Sequence, residues 1–157
     1  MNHYSACYSS PIGMIKITAD DTKITELTFV DNDSGLCEYQ TPVIKECIKQ
    51  LDEYFAGKRK VFTLPLLIEG TAFQKNVWSK LSKIPYGKTL SYADIASKIN
   101  QPKACRAVGM ANNKNKIAII LPCHRVIGRD HSLTGYAGGL WRKEWLLQHE
   151  QQGSNKA

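Results

Sequence analysis

Long apolar runs are absent: no stretch approaches the roughly 20 residues needed to cross a bilayer, so no segment reads as a membrane span. The first residues, Met1-Asn2-His3-Tyr4-Ser5, lack the basic and then apolar regions of a secretory leader. Both absences imply a cytoplasmic protein. No cysteine pair reads C-x-x-C, and the count is odd: Cys7, Cys37, Cys47, Cys105 and Cys123. This argues against a disulfide framework. His3, His124, His131 and His149 do not combine with those thiols at zinc-finger spacings, so no metal is expected. Repeats and low-complexity tracts are missing too. Acidic residues are outnumbered, 14 against 21 basic, for a net charge of +7. Such an excess favours a polyanionic partner, although solubility alone would also account for it. What remains is globular: 157 residues, 43% hydrophobic, suit one compact domain or two small ones.

Ile12 to Ala19 and Lys23 to Val30 are β-branched and apolar around Asp20-Asp21, which predicts an antiparallel pair. Asp31 to Gly35 reads as loop. From Thr41 the period becomes helical, through Ile44, Cys47, Ile48, Leu51, Tyr54 and Phe55, with Gly57 as the stop. Val61 to Leu67 is a further candidate strand, interrupted by Pro65. Thr71-Ala72-Phe73-Gln74 has the form of a capping box opening a helix through Phe73, Val77 and Leu81, and Pro85-Tyr86-Gly87 ends it. Ser91-Tyr92-Ala93-Asp94 is a second such box, for a short helix through Ile99. Asn100-Gln101-Pro102 turns into a helix from Lys103 to about Asn112, with Pro102 near its first position. Two short helices across a tight turn fit a helix-turn-helix, as they fit many helical hairpins. Asn112 to Asn115 should leave the helix, and Ile117 to Leu121 reads as a buried strand. Gly135, Gly138 and Gly139 keep the next stretch irregular. Trp141 to His149 forms a last helix, and the polar tail beyond Glu150 frays.

Cys123 ends the apolar run and precedes His124 and Arg125. A thiol beside basic groups can ionise below its reference pKa of about 8.5 and become nucleophilic. On spacing alone a structural cysteine with a surface His-Arg pair is the more frequent outcome. Arg106 can be a DNA contact or an ordinary solvated helix residue. Tyr92 can donate a hydrogen bond or pack as a half-buried aromatic, and Glu150 reads by itself as a solvated charge. Trp78, Trp141 and Trp145 are most simply core residues.

The string Ile120-Leu121-Pro122-Cys123-His124-Arg125-Val126-Ile127 resembles the active-site signature of the O6-alkylguanine-DNA alkyltransferases. The likeness extends through Ser91-Tyr92, Arg106-Ala107-Val108-Gly109, Gly135-Tyr136-Ala137-Gly138-Gly139-Leu140 and Lys143-Glu144-Trp145-Leu146-Leu147, in the family's order, over about residues 70 to 150. Earlier residues match only in layout. The resemblance implies an α/β protein in two parts. A small N-terminal antiparallel sheet domain with a helix covers 1–69, and a mainly helical domain with a winged-helix-like helix-turn-helix covers 70–157.

It also implies single-turnover DNA repair, with an alkyl group passing irreversibly from O6-alkylguanine in duplex DNA to Cys123; O4-alkylthymine is a further candidate lesion. His124, oriented by Glu150, would act on the thiol, Tyr92 would donate to the guanine ring, and Asn115 would bridge the hairpin and the active-site segment. The target base must leave the stack, because O6 is out of line for a buried cysteine until it does. Arg106 would fill the gap, with Tyr92, Ala104, Cys105 and Gly109 against the DNA. Val126, Tyr136, Ala137 and Gly138 would line the base pocket, the Cys123 and Val126 carbonyls accepting from the guanine amino group. No cofactor is implied, and the protein would act as a monomer. Three departures stand out: Lys116 replaces a usual proline, Cys105 replaces alanine or serine, and Cys7 with its neighbours does not reproduce the zinc ligands of some members. A non-catalytic DNA-binding protein and a Cys-His hydrolase are the rival readings.

Overall fold

The computed structural model describes residues 3–31, 39–130, 133 and 135–155. The chain divides into two compact units, Met1–Ile68 and Glu69–Ala157.

In the first unit, β1 (Tyr4–Ser10), β2 (Gly13–Ala19) and β3 (Ile24–Val30) form one antiparallel sheet in sequence order. Gly13, at φ 111°, makes the β1–β2 turn in a conformation that side chains disfavour. Asp20 builds the next turn, its carboxylate accepting from the Thr22 and Lys23 amides at 2.9 and 2.7 Å. Alternation along β2 buries Ile15, Ile17 and Ala19 on one face, joined by Ile24 and Leu27 of β3. α1 (Pro42–Phe55) packs against β1 and β2. Thr41 caps it, Pro42 occupies its first turn, and Gly57 follows its end at φ 77°. Ile44, Cys47, Leu51 and Tyr54 form its buried stripe.

Two expectations change here. β1 carries no apolar alternation, since Ala6 alone of its residues is buried; its pairing with β2 makes it a strand. The candidate strand at Val61–Leu67 is reduced to one parallel bridge, Leu66 to Ile24. Pro65 has no N–H to extend a ladder. The buried Gln50 carboxamide instead bonds the Thr63 backbone on both its sides, at 2.9 and 3.2 Å.

In the second unit, α2 (Ala72–Leu81) and α3 (Tyr92–Lys98) each start with the capping box expected of them. α4 (Cys105–Asn113) packs on both helices, completing the helix-turn-helix with α3. It begins later than the reading from Lys103, because Ala104 N–H closes a separate turn onto the Gln101 carbonyl at 2.9 Å. It also retains Asn112 and Asn113, which were expected to leave it. Two short parallel strands, β4 (Leu90–Ser91) and β5 (Val126–Ile127), join the start of α3 to the Cys123 segment. The Ile117–Leu121 run is buried turn, not strand. Asn115 bonds the Ile117 amide and carbonyl and the Leu121 carbonyl at 3.0, 3.3 and 2.8 Å, taking groups a ladder would use. Ile119 sits inside that turn at φ 70°, a strained setting for a β-branched residue. α5 (Leu140–Asn155) runs beyond the expected frayed end at Glu150. Gln151 donates to the Gly87 carbonyl at 2.7 Å, and Gly153 lies against Tyr86. Trp78 is core as read, whereas Trp141 is 56% exposed with the Arg142 guanidinium over its ring.

Candidate active site

Cys123 opens a 3-10 turn, Cys123–Arg125, that feeds β5. The turn points its side chains inward: Cys123, His124 and Arg125 are all buried. The surface His-Arg pair is therefore ruled out. His124 Nε2 lies 2.7 Å from Glu150 Oε2, and Arg125 grips the same carboxylate through Nε at 2.7 Å and a terminal nitrogen at 2.9 Å. Its other terminal nitrogen donates to the Ile84 carbonyl at 2.7 Å. Burial would raise the Glu150 pKa, but His124 and Arg125 outweigh it and hold the carboxyl well below the usual range. An ionised carboxylate only accepts, so His124 Nε2 carries the proton and Nδ1 keeps its lone pair. Nδ1 has no protein partner among the described residues. Burial, partly opposed by Glu150, also keeps the imidazole pKa below its ordinary value.

Burial pushes the Cys123 thiol up, contrary to the lowered value its basic neighbours suggested. Asn115, the Lys143 ammonium, and the Cys123 and His124 amides act in the opposite direction. At rest the site thus holds a neutral thiol ringed by groups that favour its anion. Lys143 is fully buried, pushed down to about 8 by desolvation, with its Nζ 5.8 Å from the Tyr92 ring centre. Tyr136, beside Cys123, has its phenol pushed well up, first by burial and then by the sulfur's charge. The Cys123 carbonyl already accepts twice, from Val126 N–H and from Asn112 Nδ2 at 3.2 Å.

A groove of about 460 Å³ brings Tyr92, Cys105, Arg106 and Gly109 together with Met110, Asn113 and Gly135. Gly109 faces the Tyr92 ring, which a Cβ there would meet at 3.8 Å, an ordinary van der Waals contact. Ala104 holds the N-cap position of α4 without a side-chain hydrogen bond and does not line that groove. Val126 is buried in β5. Tyr136, Ala137 and Gly138 form a loop between Gly135 and Gly139, which turn at φ 52° and 94°. The Gly138 carbonyl is held by Arg142 at 2.9 Å.

Three residues here escaped the sequence reading. Arg125, read only as a basic neighbour of the thiol, had no signal of its own, since the adjoining His124 and Val126 do not mark it as buried. Lys143 had one: with Leu146 and Glu150 it falls at helical spacing on one face. Asn112 had none. Among the described residues no group of three or more His, Cys, Asp or Glu could hold a metal, and Cys7, Cys47, Cys105 and Cys123 are free thiols; Cys37 and His131 lie outside the described residues. Among the described residues no helix is long and apolar enough to cross a membrane.

A helix-turn-helix beside a buried thiol and a carboxylate-oriented histidine defines a DNA-binding protein with a cysteine-centred site. Comparison with known proteins narrows this. Residues 3–68 match the ribonuclease-like domain and residues 72–152 the DNA binding domain of 6-O-methylguanine DNA methyltransferase. A methylated-DNA–protein-cysteine methyltransferase of Methanosarcina acetivorans is 47% identical over 94% of this chain and 97% of its own. The constitutive one of Bacillus subtilis is 46% identical over 96% of each. The Mycobacterium tuberculosis OGT structure in complex with DNA superposes at a TM-score of 0.88, with 40% identity, over 98% of this chain and 94% of that one. The chain belongs to the 6-O-methylguanine DNA methyltransferase family.

Proposed function

We propose that this protein repairs DNA by moving an alkyl group from guanine O6 onto Cys123, irreversibly and once per molecule. The observation that carries the reading is the buried Cys123 adjoining His124, whose Nε2 is fixed by Glu150 at 2.7 Å. Residues 70–157 serve as the DNA-binding and alkyl-acceptor domain, and residues 1–69 form an α/β domain. The protein works as a monomer in the cytoplasm, on duplex DNA carrying alkylated guanine, with O4-alkylthymine a further substrate.

α4 enters the DNA groove with Arg106 leading, and Tyr92, Ala104, Cys105 and Gly109 contact the strand around it. Arg106 fills the space of the extruded nucleotide, which enters a pocket of Val126, Tyr136, Ala137 and Gly138. His124 Nδ1 takes the thiol proton through a water molecule, and Glu150 stabilises the resulting imidazolium. Lys143 and the facing amides stabilise the thiolate, and Asn115 holds its segment against the strained Ile119 turn. Sulfur then attacks the alkyl carbon in line. The S–C bond forms as the C–O6 bond breaks, its electron pair passes to the guanine, and Tyr92 supplies the proton that neutralises the ring. A thioether has no easy return to thiol, so the reaction stops after one turnover.

Intact-mass measurement after incubation with O6-methylguanine duplex tests this. One added methyl group, mapped to Cys123 and never exceeded, is expected. Repeated turnover would indicate a hydrolase, and an unchanged mass a DNA-binding protein without transfer.

A further inference from the structure

Asn112 has no part in the chemistry above, yet it is only 2% exposed. It lies in the last turn of α4, whose end is pinned by the Trp78 indole N–H donating to the Ala111 carbonyl at 2.9 Å. Its Nδ2 donates to the Cys123 carbonyl at 3.2 Å, and its Oδ1 is buried with no partner among the described residues. A side chain kept for stability would not leave one end of its amide unsatisfied, because an apolar residue of that size avoids the penalty.

The bonded carbonyl explains the choice. Cys123 C=O and His124 N–H belong to one peptide group, and that N–H faces the Cys123 sulfur and favours its anion. A donor on the carbonyl polarises the peptide and makes its N–H a stronger donor in turn. Val126 N–H supplies one such donor by closing the 3-10 turn; Asn112 supplies the other from a different element.

We propose that Asn112 is a positioning residue that clamps the Cys123–His124 peptide to the end of the groove helix and strengthens the amide facing the reacting sulfur. The same helix carries Arg106 in its first turn, so displacement of α4 on DNA reaches the Cys123 peptide through this bond. The inference rests on Cys123 being the alkyl acceptor. Other groups facing the sulfur are Lys143 on α5, Tyr136 on the glycine loop and the Asn115 amide, with His124 and Glu150 behind. Substitution at 112 replaces none of them.

The test is iodoacetamide labelling of Cys123 across a pH series, resolved by peptide mapping, with melting curves for the same full-length proteins. Asn112→Leu should melt no lower than wild type, yet label roughly three- to tenfold more slowly at neutral pH, the range of one hydrogen bond. Rates should converge at high pH, where the thiol is ionised in both. Asn112→Asp keeps the shape but turns a charged oxygen toward the carbonyl, and should label more slowly still. Profiles of both variants overlaying wild type would overturn the proposal. So would slowing by one factor at every pH together with a lower melting temperature, which marks a structural role alone. A wild-type Cys123 that labels no faster than the inert Cys47 would remove the acceptor reading itself, an outcome separate from either.

Discussion

Each unit hides a cysteine from solvent, and the two thiols keep opposite company. Cys47 shares the buried stripe of α1 with Ile44, Leu51 and Tyr54, and burial alone pushes its pKa up to about 12. Cys123 is pushed up by burial as well, but an amide side chain, an ammonium and two backbone N–H groups oppose the push. The contrast reaches through both units. Residues 1–68 hold 7 basic and 9 acidic side chains, a net of −2; residues 69–157 hold 14 and 5, a net of +9. Among the described residues the first unit buries the polar Thr41 and Gln50, whereas the second buries Asn112, His124, Arg125, Lys143 and Glu150. Buried ion pairs are poor sources of stability, since desolvation offsets most of their attraction. The first unit's core is built to be inert; the second gives up some of that inertness for reactivity.

The two thiols offer the sharpest way to break the comparison. Cys123→Ser should abolish alkyl transfer while leaving DNA affinity nearly unchanged, because the proposed DNA contacts lie on α3 and α4 and not on the Cys123 turn. Cys47→Ala should leave transfer intact and cost only about 1 kcal/mol of stability. Transfer from radiolabelled duplex with peptide mapping checks both, and label on another cysteine of the Cys123→Ser protein would sink the assignment.

Glu150→Gln comes next. It leaves Arg125 buried without its counter-charge and should cost roughly 3–5 kcal/mol in denaturant unfolding. It should also slow transfer and raise the apparent pKa of Cys123, because His124 loses its orienting anion. The Glu150 carboxyl has a folded pKa below its unfolded one, so its stabilisation is present above about pH 4.3 and fades as pH falls toward the folded value. The variant should therefore lose most at neutral pH and show a flatter acid limb. Equal transfer rates and overlaying limbs would strip Glu150 of any role in the chemistry.

Arg106→Ala should have the smallest reach, touching only the step that the DNA imposes. Repair of duplex should slow roughly tenfold, while reaction with free O6-benzylguanine, which needs no extrusion, should change less than about twofold. Equal losses on both substrates would move Arg106 from the groove to the fold.

The elements legible in the sequence were those whose signal is local. Two capping boxes located α2 and α3, Thr41 and Gly57 bracketed α1, and the Pro122-Cys123-His124-Arg125 string marked the site. Signals that depend on distant partners were not legible. β1 is a strand because β2 pairs with it, and Ile117–Leu121 has a strand's composition but is wound into a turn by the Asn115 carboxamide. Asn112 shows its role only beside the Cys123 carbonyl, 11 residues away. Arg125 was read only as a basic neighbour of the thiol and Lys143 was given no role, since a cation in sequence is read as solvated until a buried carboxylate or thiol faces it.

Gly153 lies outside every site named above, yet a methyl group there would drive into the Tyr86 hydroxyl and ring. The Arg125 guanidinium sits over that same ring, 5.7 Å from its centre, and Arg125 grips Glu150. Trimming the chain just past Glu150 would remove what looks like polar excess and with it the brace behind the aromatic plate. An affinity tag is better fused to the amino-terminal side, and a protease that nibbles α5 from its end would disarm the molecule before it reached a single reacting atom.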